Sequence, residues 1–148
     1  MAATTNLGVY KTILDSPSPD SVLDSAKMGG KLRCKFDYHL SAVQIDTGST
    51  IELPSLQKGD VPIGLLVATA GVGAATTLEV GDGTTADALI ASGGITDLTG
   101  ASVQVKLFKA GIFGVALTAE KRIVVTTEAA HYAAAKTIYF GVLYVDRN

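Results

Sequence analysis

The chain is predicted to be all-β, a sandwich or barrel of antiparallel strands. Eight or nine short segments of alternating or apolar character are separated by turn signals at about 8–12-residue spacing. Sixteen glycines, many Thr and Ala residues and no Trp suit a chain with many turns. Nowhere do strands alternate with helices, as a parallel α/β sheet requires. No fixed-period repeat of the solenoid or propeller kind is present.

Residues 1–30 differ from the rest and are read as an extended N-terminal arm before a sandwich domain over 31–148. They hold Pro17, Pro19, the pair Gly29-Gly30 and four serines between Ser16 and Ser25. Each proline disfavours the α conformation at the residue before it, so the run SPSPD is extended. Leu7, Val9, Tyr10, Ile13 and Leu14 form one apolar cluster, and Val22 and Leu23 another. Such an arm either folds back along its own domain or reaches a neighbouring subunit and orders on contact.

Lys31–Leu40 is the clearest strand. Leu32, Cys34, Phe36, Tyr38 and Leu40 share one face and Lys31, Arg33, Lys35, Asp37 and His39 the other. That alternation predicts an antiparallel strand with its apolar face in the core and its charged face wet. A second strand is expected from Ala42 through Ile45 and a third over Thr50–Leu53, closed by Pro54. Val61–Thr69 is an apolar run in which Pro62 stands at a tolerable early position. Leu78 and Val80 alternate with Thr77 and Glu79, and Gly81-Asp82-Gly83 then reverses the chain. Gly93-Gly94 and Gly100 bracket a predicted loop. Ser102–Phe108 alternates again, with Val103, Val105 and Leu107 on one face. Ile112–Leu117 and Arg122–Thr126 follow as further strand candidates. Glu128–Lys136 is read as a loop with at most a short turn, too brief for an independent helix. The closing strand, Thr137–Val145, is apolar on both faces. Either it lies under two layers, or Tyr139, Leu143 and Val145 on its second face meet another subunit.

Composition narrows the function. A chain of 148 residues, 47% hydrophobic, suits one domain with a real core. Only 18% of its residues are charged, below the usual ~25%. Either part of the outer surface is covered in the working state, or the surface is simply rich in Thr, Ser and Gly. The net charge of −2, with no basic stripe, argues against a nucleic-acid partner. No run approaches the ~20 apolar residues of a membrane helix, and the first residues do not read as a signal peptide. The single cysteine excludes an intrachain disulfide framework and a CxxC clamp.

A search for chemistry finds no catalytic set, so the chain is not read as an enzyme, and no cofactor is predicted. His39 and His131 stand far apart in sequence with no ligand spacing, and His39 is expected to be solvated. Cys34 falls on the face taken as core, where free cysteine acts as a small hydrophobe. Glu79, Asp82, Asp87 and Asp97 lack the spacing of a calcium loop, and Asp82 suits its turn through its own backbone bonds. No metal site is assigned. The glycines at 81 and 83 lack the βαβ unit of a dinucleotide site.

Three stretches together resemble the decoration, cement or stapling proteins of tailed-phage heads. They are IELPSLQKGDVPIG (51–64), TTLEVGDGTTADALIAS (76–92) and the closing strand at 137–145. The resemblance covers about 31–145 and implies a jelly-roll-like sandwich that sits on an icosahedral shell. Its implied partners are the major capsid protein and copies of the chain itself. Its implied place is the outer head surface of the virion, after synthesis in the host cytoplasm. Arm residues Leu7, Val9, Tyr10, Ile13 and Leu14, with Tyr139, Leu143 and Val145, are the expected contacts. The competing expectation is a receptor- or glycan-binding module of a tail or fibre, which needs an aromatic platform that no Trp and five Tyr scarcely supply.

Overall fold

The computed structural model describes residues 31–41, 44–72, 75–130 and 132–146. The arm, with Leu7, Val9, Tyr10, Ile13 and Leu14, lies outside them, as do His131, Ala42 and Val43. Eight strands make up the described fold: β1 (Lys31–Leu40), β2 (Thr50–Leu56), β3 (Val61–Thr69), β4 (Thr77–Gly81), β5 (Ile90–Ile95), β6 (Ser102–Leu107), β7 (Lys121–Glu128) and β8 (Thr137–Asp146). They form two four-stranded sheets, ordered β1-β8-β3-β6 and β2-β7-β4-β5, and every pairing is antiparallel. Position by position, strands 1, 8, 3 and 6 of one sheet match strands 2, 7, 4 and 5 of the other. That order is a jelly roll, a long hairpin rolled into two layers.

The core lies between the sheets and is drawn mainly from the central strands. Leu65 and Val67 of β3 and Ile138, Phe140 and Val142 of β8 face Leu53 and Leu56 of β2, Leu78 and Val80 of β4, and Ile123 and Val125 of β7. All are under a tenth exposed, so their apolar area supplies the main favourable term of folding. Tyr132, fully buried, pins the chain between β7 and β8. Its hydroxyl hydrogen is shared between the carbonyls of Lys136 (2.7 Å) and His39 (2.9 Å).

Several boundaries differ from the sequence reading. Ile45 makes one isolated bridge, to Tyr132, and the described part of Ala42–Ile45 is not a strand. Pro54 does not end its strand, because β2 absorbs it in a register shift between Leu53 and Leu56. Gly93 and Gly94 lie inside a strand, β5, and the loop that they bracket with Gly100 begins after Ile95. Ile112–Leu117 is a series of turns, and its backbone bonds run to neighbours such as Lys109 and Asp60 in place of a strand ladder.

The stretch at 76–92 is a β4–β5 hairpin with an eight-residue connection from Asp82 to Leu89. The Asp82 carboxylate accepts the backbone N–H groups of Thr84 and Thr85, both at 3.0 Å, and Lys121 adds an ion pair at 3.3 Å. Gly81 is required by space and not by dihedral angle. A Cβ there would stand 2.0 Å from the Thr85 carbonyl oxygen.

Candidate protein interface

The face of β1 is the reverse of the one its alternation predicts. Leu32, Phe36, Tyr38 and Leu40 point outward, 58–70% exposed. Arg33, Lys35, Asp37 and His39 share the side of β8's buried residues, since Lys35 lies opposite Val142, Asp37 opposite Phe140 and His39 opposite Ile138. The other edge strand, β6, does the same. Val103, Val105 and Leu107 are 54–76% exposed, while Gln104 and Lys106 lie on the side of Val67 and Leu65.

The reason is that β1 and β6 are the two edges of their sheet, at the open flanks of the sandwich. An inward side chain there can reach the rim of the second sheet. The Lys35 ammonium donates to the Ser55 carbonyl of β2 at 2.7 Å and sits 5.0 Å from the centre of the Tyr144 ring. Across the molecule, Gln104 Nε2 donates to the carbonyl of Thr96, the residue after β5. One polar contact thus closes each flank, and inward charge also protects a sheet edge from stray pairing.

Reversing both edges makes the whole outer face of this sheet apolar. Residues directly opposite one another in an antiparallel ladder share a face, so the register gives the rows across it. Tyr38, Tyr139, Ala68 and Val103 form one row. Phe36, Gly141, Leu66 and Val105 form the next, and Cys34, Leu143, Gly64 and Leu107 the third. Val145 lies beyond, beside Leu32. None of these positions carries a charge. Phe36 Cε1, Cys34 Sγ and Leu66 Cβ all lie within 3.3 Å of where a Cβ on Gly141 would stand, so neighbours fill the gap and the face is continuous.

Tyr139, Leu143 and Val145, the last-strand residues expected to meet a partner, therefore lie together on this face. The contributions of β1 and β6 to this face are not expected from the sequence. Their alternation is visible, but it points the apolar side of β1 to the core and leaves the sense of β6 open. Only the strand order, which puts both at sheet edges, gives the correct sense.

Two other expectations need correction. Cys34 is half-buried on the outer face and is not a core residue. Burial raises its thiol pKa, which disfavours the nucleophilic thiolate. His39 is not a solvated side chain. It packs edge-on to Tyr132 with ring centroids 5.9 Å apart, and its Nε2 is buried with no hydrogen-bond partner.

The outer face of the second sheet is polar by contrast. Thr50 and Glu52 of β2, Arg122 and Thr126 of β7, and Thr77 and Glu79 of β4 lie on it. Arg122 meets Glu52 through two bonds of 2.8 and 2.9 Å. Glu79 is 9% exposed, and its carboxyl pKa is raised, first by burial and then by the charges of Glu128 and Asp87. Glu128 accepts the Ser92 hydroxyl at 2.7 Å and the Gly93 N–H at 2.6 Å, and Asp87 pairs with Lys109 at 3.0 Å. Of the carboxylates named from sequence, Asp82 thus holds its turn and Asp87 an ion pair, and Asp97 accepts the Thr96 hydroxyl at 3.4 Å. Among the described residues no three His, Cys, Asp or Glu side chains converge as metal ligands, and no helix is long and apolar enough to cross a membrane.

No protein-family model matches the chain, and no curated protein matches it. Solved structures do. A chain of the cyanophage Pam1 capsid asymmetric unit superposes with a TM-score of 0.60 at 14% identity, over 98% of this chain and 99% of that one. A chain of the capsid of Ralstonia phage GP4 gives 0.60 at 21% identity, over 81% and 87%. This chain shares its fold with phage capsid chains. At such identities the likeness is one of architecture.

Proposed function

We propose that the protein is a structural component of a tailed-phage virion that decorates the icosahedral head and cements it by bridging neighbouring major capsid subunits. The observation that carries this reading is the end-to-end match of a jelly roll of this size to a chain of a phage capsid. The sequence motifs at 51–64, 76–92 and 137–145 point the same way. So does a surface divided between a polar and an apolar sheet face.

In this role the chain binds the assembled shell and not free capsid subunits. It therefore stabilises the assembled state by mass action, and many copies on one lattice add avidity. The role asks no chemistry of the chain. Residues 1–30 act as the arm, with Leu7, Val9, Tyr10, Ile13 and Leu14 as its contacts on a neighbouring subunit. The protein is made in the host cytoplasm and ends on the outer head surface.

A glycan-binding role is the weaker reading. Tyr38 and Tyr139 do form an exposed ring pair with centroids 6.1 Å apart. They stand in a field of aliphatic groups without the acidic or amide side chains that would hold sugar hydroxyls.

The test is to add the purified chain to heads that lack it and image the particles. Regular density on the outer surface, and heads that resist heat or chelators better than bare ones, are the expected results. Removing residues 1–27 should leave a folded sandwich that decorates weakly. Undiminished occupancy by the truncated chain would remove the arm from the reading, and bare shells with the full chain would remove the function.

A further inference from the structure

The outer face of the β1-β8-β3-β6 sheet asks what covers it. Eight of its side chains are more than half exposed: Leu32, Phe36, Tyr38, Leu40, Val103, Val105, Leu107 and Tyr139. At roughly 100 Å² each they present on the order of 800 Å² of contiguous apolar surface, about one partner's share of a standard protein interface. The largest patch on a typical monomer is only about 300–600 Å².

We propose that a second copy of this chain covers the face, sheet against sheet, and does so before the protein meets a shell. Three observations favour a copy over another occupant. First, the face is continuous across four paired strands, and the neighbours of Gly141 fill the gap that it leaves. Stacked sheets approach to about 10 Å, and such a surface suits another sheet better than a protruding loop. Second, the face carries no charge. A twofold contact lays the patch on itself, residue i against j and j against i, so a patch of one charge sign would repel its copy, and this one does not. Third, the area is that of a stable complex, and its composition resembles the more hydrophobic interfaces of permanent oligomers.

The timing rests on the proposed function. A protein that must wait in solution for an assembled shell cannot leave this much apolar surface bare without aggregating. The polar face of the second sheet and the arm then remain available for the shell.

Sedimentation of the full chain at micromolar concentration tests the proposal. The wild type should sediment as a dimer. Phe36→Lys on β1 and Val105→Lys on β6 should each reduce it to a monomer. Both side chains point to water in the single chain, and using opposite edges of the sheet guards against one variant failing to fold. Far-UV circular dichroism should be unchanged in at least one of them. Alkylation of Cys34, which lies on the same face, gives an independent reading: it should be several-fold slower in the wild type than in the monomeric variant. A monomeric wild type, or an oligomer unchanged by both substitutions, would overturn the proposal. Shell binding is scored separately. An oligomer that leaves shells bare keeps this inference and removes the proposed function. A monomer that coats shells does the reverse and assigns the face to the capsid.

Discussion

At the residue scale, two side chains on one hairpin respond to pH in opposite directions. Glu79 has a folded-state pKa above its unfolded one, because burial and the charges of Glu128 and Asp87 disfavour its ionised form. Its favourable contribution is complete below the unfolded value, near 4.5, and is lost as pH rises through the folded value. Glu79→Gln should therefore be more stable than wild type at pH 7.5 and gain nothing at pH 4, as read from urea melts at both. Asp82 behaves inversely. The N–H groups of Thr85 and Thr84 hold its pKa below 3.8, so its contribution is present at neutral pH and lost in acid. The neighbouring Gly81 is set by sterics alone. Gly81→Ala forces a methyl group against the Thr85 carbonyl and should cost about 1–3 kcal/mol in the same melts. If it costs nothing, the turn can open without strain and the account of the hairpin fails.

At the scale of the element, the edge strands separate what was legible in the sequence from what was not. The positions of seven of the eight strands follow from alternation and turn residues, as does the all-β class. β5 does not, since its Ser-Gly-Gly centre carries no alternation and only its pairing with β4 shows it to be a strand. The sense of β1 was hidden for a different reason. Alternation states that a strand has two unlike faces, but not which one is inside; that depends on whether the strand is central or at an edge. A strand with Lys35 and Asp37 facing in is acceptable at an edge, where Lys35 finds the Ser55 carbonyl. The same sequence in the centre would bury unpaired charge. β8, apolar on both faces, was the readable clue, because its second face needed a cover. Tyr132 shows the same dependence on context. Nothing in the loop EAAHYAAAK marks it as fully buried, yet its hydroxyl joins the end of β1 to the approach to β8. Tyr132→Phe removes that shared donor, leaving the Lys136 carbonyl to the Ser41 N–H at 3.1 Å, and should cost about 1–2 kcal/mol in chemical denaturation. A neutral result would mean that water replaces the hydroxyl.

At the scale of the whole molecule, the described sandwich has two unlike outer surfaces. The β2-β7-β4-β5 sheet shows water Thr, Glu and Arg, while the β1-β8-β3-β6 sheet shows it Leu, Val, Phe and Tyr. Low overall charge is thus concentrated in its effect. Counting residues finds only 18% charged, but not that one complete sheet face has none. The jelly-roll order alone does not identify a function, because one fold serves many. The division of the surface is specific to this chain, and it is what the shell-decoration and self-association experiments examine from different sides.

The absence of charge from that face also decides how contact through it responds to conditions. Salt screens interactions between exposed ions, and there are none here to screen. Raising ionic strength should leave the contact intact, and sulfate should tighten it by exclusion from the protein surface. Cold acts in the opposite sense. The driving force for covering apolar surface is largely entropic near room temperature and weakens on cooling. A particle held together through this sheet would loosen first in the refrigerator, not in the salt wash.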